Sequence, residues 1–583
     1  MPMDSDSLFN SARSFLDEGH FGQAASICKG IIGRQPNHSG AHYMIGMIAY
    51  QQGNPSKALP SLDKAIGLAP KQANMHSNRG LILHALGRLD EAVLSYDRAI
   101  ALDPKYVDAF YNRGIALQML GRPGEAVASY DLAIALEPHF AEAFLNRGSA
   151  LQDLGKLEAA VASYDAALVL QPDLEEGHFG RALALSGLEQ WEAAVAGYDS
   201  VIALRPDLAP PYFNRGNALR DLRRFDEALV SYERALALEP HNTDFKRGIF
   251  VCKFELRHDP AIIERLSLEI SAAIIEKECA ALHTRRSVLH FRTLHDLEYT
   301  GYLIAHGYTD AAIVAANAFL REICARNPVV LTHSDTPKAI EITPGESDAI
   351  SRFRKTAPRY QMPARLASCL NDSNNWAALE DQYLNSRPEV TFIDNMLSDE
   401  CLVELRKFCL ISQIWRREYK NHYLGANFEE GFVSPLHLQI AAELQKRMPR
   451  VFGCHNLTQL WAFKYSSTMG RGINVHADFA RVNLNFWITP DDANLDPASG
   501  GLIIYDLPAP SSWSYQDYNK NDEQIYAFLK EHKAGSRTVP YKCNRAVLFN
   551  SNLFHETDKI QFKTGYENRR INVTYLFGRG LQY

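Results

Sequence analysis

Residues 104–138 read PKYVDAFYNRGIALQMLGRPGEAVASYDLAIALEP, and the pattern of this stretch returns along the first 242 residues. Pro36, Pro70, Pro104, Pro138, Pro172, Pro206 and Pro240 are evenly spaced at a period of about 34 residues. Ala24, Ala58, Ala92, Ala126, Ala160, Ala194 and Ala228 keep the same register. At a constant distance before each of the last six prolines stands a bulky side chain: Leu62, Tyr96, Tyr130, Tyr164, Tyr198 and Tyr232. Gly46, Gly80, Gly114, Gly148 and Gly216 form a further series, with Ala182 substituting once. A fixed period of this length marks one supersecondary unit per repeat. The alanines and glycines fall where two helices of one hairpin approach closely. Gly53, Gly87, Gly121 and Gly155 stand where the first helix needs a left-handed residue to stop.

Seven such copies, from residue 5 to 242, resemble the tetratricopeptide repeat. The resemblance implies an α-helical solenoid whose concave groove takes a peptide or an extended segment of a protein partner. Asn78, Asn112, Asn146 and Asn214 recur in the groove-facing phase, with Gly180 interrupting the series. One amide side chain can pair with both the N–H and the C=O of a peptide unit. The series is similar to the asparagine ladder of O-GlcNAc transferase, which implies peptide binding; the alternative is that these amides bond to neighbouring helices. Arg79, Arg113, Arg147, Arg181 and Arg215 follow directly, each matched at one constant offset further along by an acid: Asp97, Asp131, Asp165, Asp199 and Glu233. Their joint recurrence predicts an ion pair across each hairpin.

The whole chain of 583 residues is too long for one core. Hydrophobic residues at 46% and charged residues at 22% predict folded protein rather than disorder. A net charge of -7 argues against general binding to nucleic acid or anionic membrane. No run of about 18 apolar residues predicts a membrane span. The acidic opening Met-Pro-Met-Asp-Ser-Asp carries no secretory or transit signal. Nine cysteines are scattered without a C-x-x-C pair, so a reducing cytoplasm is expected.

Residues 243–389 read as a helical capping or connecting region, with amphipathic helices over 261–282 and 294–324. From residue 390 the pattern becomes strand-like: 390–393, 460–465, 473–476, 482–488, 502–505, 546–549 and 571–577. The fold class expected is multidomain α plus β: solenoid, helical connector, and a C-terminal double-stranded β-helix, or jelly-roll, barrel over 390–583. Within it His476-Ala477-Asp478 ends one strand, and His555 follows well downstream at the end of another. Two imidazoles and a carboxylate can occupy one face of an octahedral metal and leave three positions open; the alternative is a histidine packed in the core. Strand alternation puts Arg570 with Asn572 and Thr574 on one face, and Arg569 with Ile571 on the other. Asn485 and Trp487 share a face of the 482–488 strand. A second His-x-Asp triplet, His333-Ser334-Asp335, lies in the connector and reads as a surface loop.

Residues 390–583 resemble the Fe(II)/2-oxoglutarate-dependent dioxygenases, particularly the prolyl-hydroxylase-like branch. The resemblance implies that His476, Asp478 and His555 hold Fe(II), and that 2-oxoglutarate and O2 complete the site. It further implies that Tyr465, on the strand that precedes His476, and Arg570 contact 2-oxoglutarate. Asn572 stands where the family usually has a small hydroxyl residue, and which of Arg569 and Arg570 serves as anchor stays open. No catalytic side chain beyond the metal ligands is implied. The 511–533 stretch, rich in Trp, Tyr, Asp, Asn and Lys, stands where the family carries substrate lids.

The function expected is hydroxylation of a protein or peptide side chain bound by the repeat groove, with Pro, Asn, Asp and Lys all open as targets. Leprecan-type prolyl hydroxylases resemble this arrangement of repeats and barrel. Two alternatives stand beside it: a non-catalytic scaffold or adaptor with a degenerate barrel, and a small-molecule hydroxylase whose repeats recruit a partner.

Overall fold

Seven pairs of helices fill the N-terminal part, from Ser5–Asp17 with Phe21–Arg34 to Ala209–Asp221 with Phe225–Leu238. The computed structural model describes residues 5–327, 339–419, 423–465, 472–478 and 480–578. His333 and Asp335 lie outside them. The chain divides into two compact units, Met1–Glu239 and Pro240–Tyr583.

In the first unit, a Cβ placed on Gly114 would meet the Tyr130 ring at 2.5 Å, and one on Gly80 would meet Tyr96 at 2.6 Å. The recurrent glycines therefore seat the recurrent tyrosines of the second helix, which are buried. Gly53, Gly87, Gly121 and Gly155 have φ of +70 to +75°, the left-handed stop the spacing predicts. Glu189 and Arg223 occupy the same position in later repeats with φ of +58° and +61°. The arginine pairs differ from expectation. Arg113 meets Asp97 at 2.6 Å, and Arg147 meets Asp131 at 2.6 Å. Arg79, Arg181 and Arg215 likewise meet Asp63, Asp165 and Asp199. The partner is the acid 16 residues earlier, on the preceding hairpin, so the pairs join adjacent repeats. The arginine's other nitrogen turns to its own hairpin, as when Arg147 Nη1 donates to Ser163 Oγ at 2.6 Å.

In the second unit the helix Thr243–Glu255 is followed by Arg257 at φ +56°, one repeat period beyond Arg223, so the helical spacing outlasts its sequence signature. The helices Pro260–Arg285, His290–Ala305, Ala311–Arg326 and Pro344–Thr356 come next. The expected 294–324 helix is broken at Gly307, whose φ is +88°. The strands are β1 (Ser287–Leu289), β2 (Ala339–Glu341), β3 (Val390–Ile393), β4 (Arg417–Tyr419), β5 (Tyr423–Asn427) and β6 (Leu457–Tyr465). After them come β7 (Val482–Trp487), β8 (Leu502–Pro508), β9 (Ser536–Val539), β10 (Ala546–Asn550), β11 (Leu553–Thr557) and β12 (Ile571–Phe577).

β1 and β2 pair alone; a seven-stranded antiparallel sheet runs β3-β10-β7-β12-β6-β5-β4, and a three-stranded one β11-β8-β9. Among the described residues neither sheet closes on itself, so the C-terminal part is an antiparallel sheet region in which the expected jelly-roll barrel is not established. The expected 473–476 strand is reduced to one bridge between His476 and His555. Beyond that bridge the Thr557 N–H donates to the Ile473 carbonyl at 3.0 Å and the Ile473 N–H to the Thr557 hydroxyl at 3.2 Å, so the pairing runs on out of register.

Two cores lie on the two faces of the large sheet. Leu484, Phe486, Val573 and Tyr575 join Phe250, Phe291, Phe353 and Phe408 of the helices. Tyr465, Trp487, Val547 and Phe549 join Leu502, Ile504 and Val539 of the small sheet. The helices before residue 390 thus share a core with the strands after it. Among the described residues no helix is long and apolar enough to cross a membrane.

Candidate metal centre

β11 and the segment before β7 are locked side by side at His476 and His555. The His476 N–H donates to the His555 carbonyl at 3.0 Å, and the His555 N–H returns the bond at 2.8 Å. Two residues on, the Asp478 N–H donates to the Ser551 carbonyl at 3.0 Å, which turns the carboxylate to the same side. The ligand atoms of His476, Asp478 and His555 all lie within 4.8 Å of one another. His476 Nε2 is 3.9 Å from Asp478 Oδ1, and His555 Nε2 is 3.4 Å from Asp478 Oδ2.

The ring tautomers follow from the outer partners. His476 Nδ1 is 2.8 Å from the Asn474 carbonyl, and His555 Nδ1 is 3.0 Å from the Leu553 carbonyl. A carbonyl oxygen only accepts, so each Nδ1 carries the proton and each Nε2 turns a lone pair toward Asp478. Burial, followed by the neighbouring His555, holds the His476 imidazole down to about 4, so it stays neutral at neutral pH. Burial pushes the Asp478 carboxyl up, but the neighbouring His555, His476 and Asn483 side chains bring it below its ordinary value. Asn483 Nδ2 donates to Asp478 Oδ2 at 2.6 Å and fixes the carboxylate's rotation.

A cavity of about 340 Å³ opens on His476 and Asp478, walled by Tyr419, Tyr423, Trp461 and Phe463. Tyr419 and Tyr423 stack with ring centroids 4.6 Å apart, and Phe463 stands edge-on to both. Over the stretch expected as a lid, the helices Tyr515–Lys520 and Asp522–Glu531 form. The first of them holds the residue between two ligands: the Ala477 N–H donates to the Tyr518 carbonyl at 3.1 Å, and Asn519 Nδ2 donates to the Ala477 carbonyl at 2.9 Å.

The remaining predicted residues fall on the inner face of the large sheet. β12 pairs with β7 so that Asn572 opposes Trp487 and Thr574 opposes Asn485. Arg570 is fully buried, its guanidinium 4.7 Å over the Tyr465 ring and 5.7 Å over the Trp487 ring. Arg569 lies on the other face, its Nε donating to Glu298 at 2.8 Å. Arg570 Nε and Nη2 donate to the Gly500 and Gly501 carbonyls at 2.6 and 3.3 Å. Arg570 Nη1, Trp487 Nε1, Asn572 Oδ1 and Asn483 Oδ1 are buried without a partner among the described residues. The Tyr465 hydroxyl is 3.5 Å from that of Thr557.

Sequence reasoning did not single out Asn483, the aromatic wall, or the Gly500-Gly501 carbonyls. Asn483 had a signal in the alternation Asn483, Asn485, Trp487 on a strand buried on both faces. In the first unit, Asn78, Asn112, Asn146 and Asn214 are all half-buried. Asn146 Nδ2 donates to the Tyr111 hydroxyl at 2.9 Å, and Asn78 Nδ2 donates to that of Tyr43 at 2.5 Å. Asn112 and Asn214 make no such bond among the described residues, because Ser77 and Phe179 stand at the place of that tyrosine.

Residues 9–73 and 111–175 match a family model described as tetratricopeptide repeat; residues 209–242 match another so described, and residues 80–121 one described as TPR repeat. The N-terminal part of the chain therefore carries tetratricopeptide repeats. No curated protein matches it. Among solved structures, YrrB, described as a TPR protein with an unusual peptide-binding site, is 21% identical, covers 32% of this chain and 95% of its own, and has a TM-score of 0.30. The C-terminal part of a TPR repeat-containing protein from Cytophaga hutchinsonii is 17% identical over 41% of this chain and 99% of its own, with a TM-score of 0.38. Pseudomonas aeruginosa pilF is 20% identical over 39% and 100%, with a TM-score of 0.32.

Proposed function

We propose that this tetratricopeptide repeat chain is an Fe(II)/2-oxoglutarate-dependent oxygenase that hydroxylates a protein or peptide side chain. The observation that carries the reading is the convergence of two Nε2 lone pairs and one carboxylate, each Nδ1 proton being already committed to a backbone carbonyl. Three acceptors turned on one point repel one another unless a cation sits between them. The donor set, two imidazoles and one carboxylate on one side, suits non-haem Fe(II) with positions left open.

The two sheets are read as an open form of the double-stranded β-helix, with the co-substrate between them. The buried Arg570 Nη1, Trp487 Nε1 and Asn572 Oδ1 fit that role, since each lacks a partner among the described residues. Gly500 and Gly501 hold the rest of the Arg570 fork, so Nη1 is the nitrogen left for a ligand carboxylate in this reading. When bound, Fe(II) with 2-oxoglutarate supplies oxidation of an unreactive C–H by O2, leaving succinate and CO2. Asn483 keeps Asp478 rotated toward the imidazoles, and Tyr419, Tyr423 and Phe463 exclude water from the mouth. In the repeats, Asn112 and Asn214 offer both amide atoms, and Asn78 and Asn146 their oxygens, to an extended chain. The reading places the protein in a reducing cytoplasm, with its nine cysteines unpaired.

Anaerobic addition of Fe(II) and 2-oxoglutarate to the full chain is expected to raise a weak visible charge-transfer band, lost in Asp478→Ala. Peptide-stimulated succinate release is expected in air. Absence of both, with peptide still bound by the repeats, would leave an adaptor.

A further inference from the structure

We propose that the cavity between the Pro260–Arg285 helix, β1 and the start of β4 binds a compact oxyanion carrying two or more negative charges. This cavity has a volume of about 430 Å³ and is lined by four arginines, Arg285, Arg292, Arg354 and Arg416, against two carboxylates, Glu278 and Glu418. Three of the guanidinium-bearing residues, Arg292, Arg354 and Arg416, are more than nine-tenths buried.

Arg292 and Arg354 share one carboxylate, Asp296, behind the wall. Arg292 Nε donates to Asp296 Oδ1 at 2.9 Å, and Arg354 Nη2 to Asp296 Oδ2 at 3.2 Å. Arg416 is bonded to no carboxylate among the described residues. Its Nη2 donates to the Ser271 hydroxyl at 2.8 Å and to the Gln413 carbonyl at 3.0 Å, both neutral. The Nε of Arg354 and of Arg416 are buried without a partner among the described residues. Glu418, the acid on β4, pairs with Arg292 only at 3.9 Å and keeps 28% of its side chain exposed. Burial lowers Arg416 to about 10, as befits a cation drawn from water without a bonded counter-ion.

A buried charge with no matching one is costly, and a guanidinium fork fits planar or tetrahedral oxyanions. The wall is therefore built for a ligand that brings negative charge, of the phosphate or polycarboxylate kind. Strand alternation adds a consequence for the first site. Arg416 and Glu418 line this cavity, while Arg417 and Tyr419 line the one that holds His476 and Asp478. One edge strand is a wall of both.

Calorimetric titration of the full chain with inorganic pyrophosphate and with citrate, against sodium chloride at equal ionic strength, tests the site. One saturable site per chain is expected, weakened about 10-fold or more by Arg285→Gln at the exposed rim. Tighter binding of pyrophosphate assigns a phosphate ligand; tighter binding of citrate assigns a polycarboxylate. Arg416→Met is expected to melt higher than the parent without ligand and to show no ligand-induced shift. Failure to saturate, an equal response to chloride, or undiminished binding by Arg285→Gln and Arg416→Met would overturn the proposal.

Discussion

The amide of Asn483 is the contact on which the candidate metal centre leans without touching the metal position. It donates to Asp478 Oδ2 at 2.6 Å from a strand that is buried throughout. Loss of an outer partner of this kind lowers metal affinity by about 10- to 100-fold in known sites. Asn483→Leu is accordingly expected to weaken Mn(II) binding by about that factor, read by electron paramagnetic resonance, with the circular dichroism of the parent retained. His437 governs a different property. It is fully buried, with Nδ1 2.8 Å from the Ser434 hydroxyl and Nε2 unpartnered among the described residues. Burial, then the charge of Arg359, holds its imidazole down to about 3. Below the ordinary histidine value of about 6.5 the unfolded chain takes up a proton that the folded chain refuses, so this group costs stability as the pH falls. Relative to the parent, His437→Leu is expected to gain about 2 kcal/mol between pH 7 and pH 5, read from urea unfolding at both. His476, Asp478 and His555 were legible in the sequence as one group because two histidines and an aspartate within a strand-rich stretch are few and chemically distinct. Asn483 was legible only as one member of the alternating face Asn483, Asn485 and Trp487, a pattern that does not say which amide meets Asp478. The arginine partners misled for a simpler reason: Asp97 lies between Arg79 and Arg113, and a repeating sequence gives both pairings the same regularity. Only the side-chain geometry selects Arg113.

At the scale of the helical hairpin, the period conceals a compensated exception. Ala182 stands where the other repeats place glycine, and its methyl group needs room. Gly197 supplies that room: a Cβ added there would meet the Ala182 Cβ at 2.8 Å. The equivalent positions in other repeats are Ser95, Ser129, Ser163 and Ser231. Small and large have been exchanged across the contact, and Arg181 forgoes the serine bond that Arg79, Arg113, Arg147 and Arg215 make. Gly197→Ser alone is expected to destabilise the first unit by about 1–3 kcal/mol through overpacking. The same change with Ala182→Gly is expected to recover most of that loss, because the pair is in contact and its effects are not additive. Thermal unfolding of the two variants beside the parent is the check; equal stability of both would show that the hairpin absorbs the methyl elsewhere. The glycine series itself revealed this contact, whereas the strands were less legible. β4 and β9 are short edge strands with mostly exposed residues, so no apolar alternation marks them.

For the whole molecule, the division that matters is the one between cores. Composition changes near residue 390, where helical periodicity gives way to strands, and that change invites a boundary at 389. Core membership ignores it. Phe250, Ile263, Phe291, Leu320, Phe353 and Trp376 pack in one cluster with Leu484, Phe486, Val573 and Tyr575 of the large sheet. A helical pattern shows which face of a helix is apolar, but not which sheet that face covers. A chain cut at residue 390 would keep His476, Asp478, His555 and every strand of the two larger sheets. It would also open one face of the seven-stranded sheet to water. Each large apolar side chain left uncovered there costs about 1.5–3 kcal/mol, and a handful exceeds the net stability of about 5–15 kcal/mol of an ordinary domain. Residues 390–583 expressed alone are therefore expected to aggregate or to lack a cooperative melt. Residues 240–583, which keep that core whole, are expected to melt cooperatively and to bind Mn(II) as tightly as the full chain. Cooperative melting and metal binding by the 390–583 fragment would show that the helices are ornament to the site. Failure of both fragments would show that the second unit needs the first to fold.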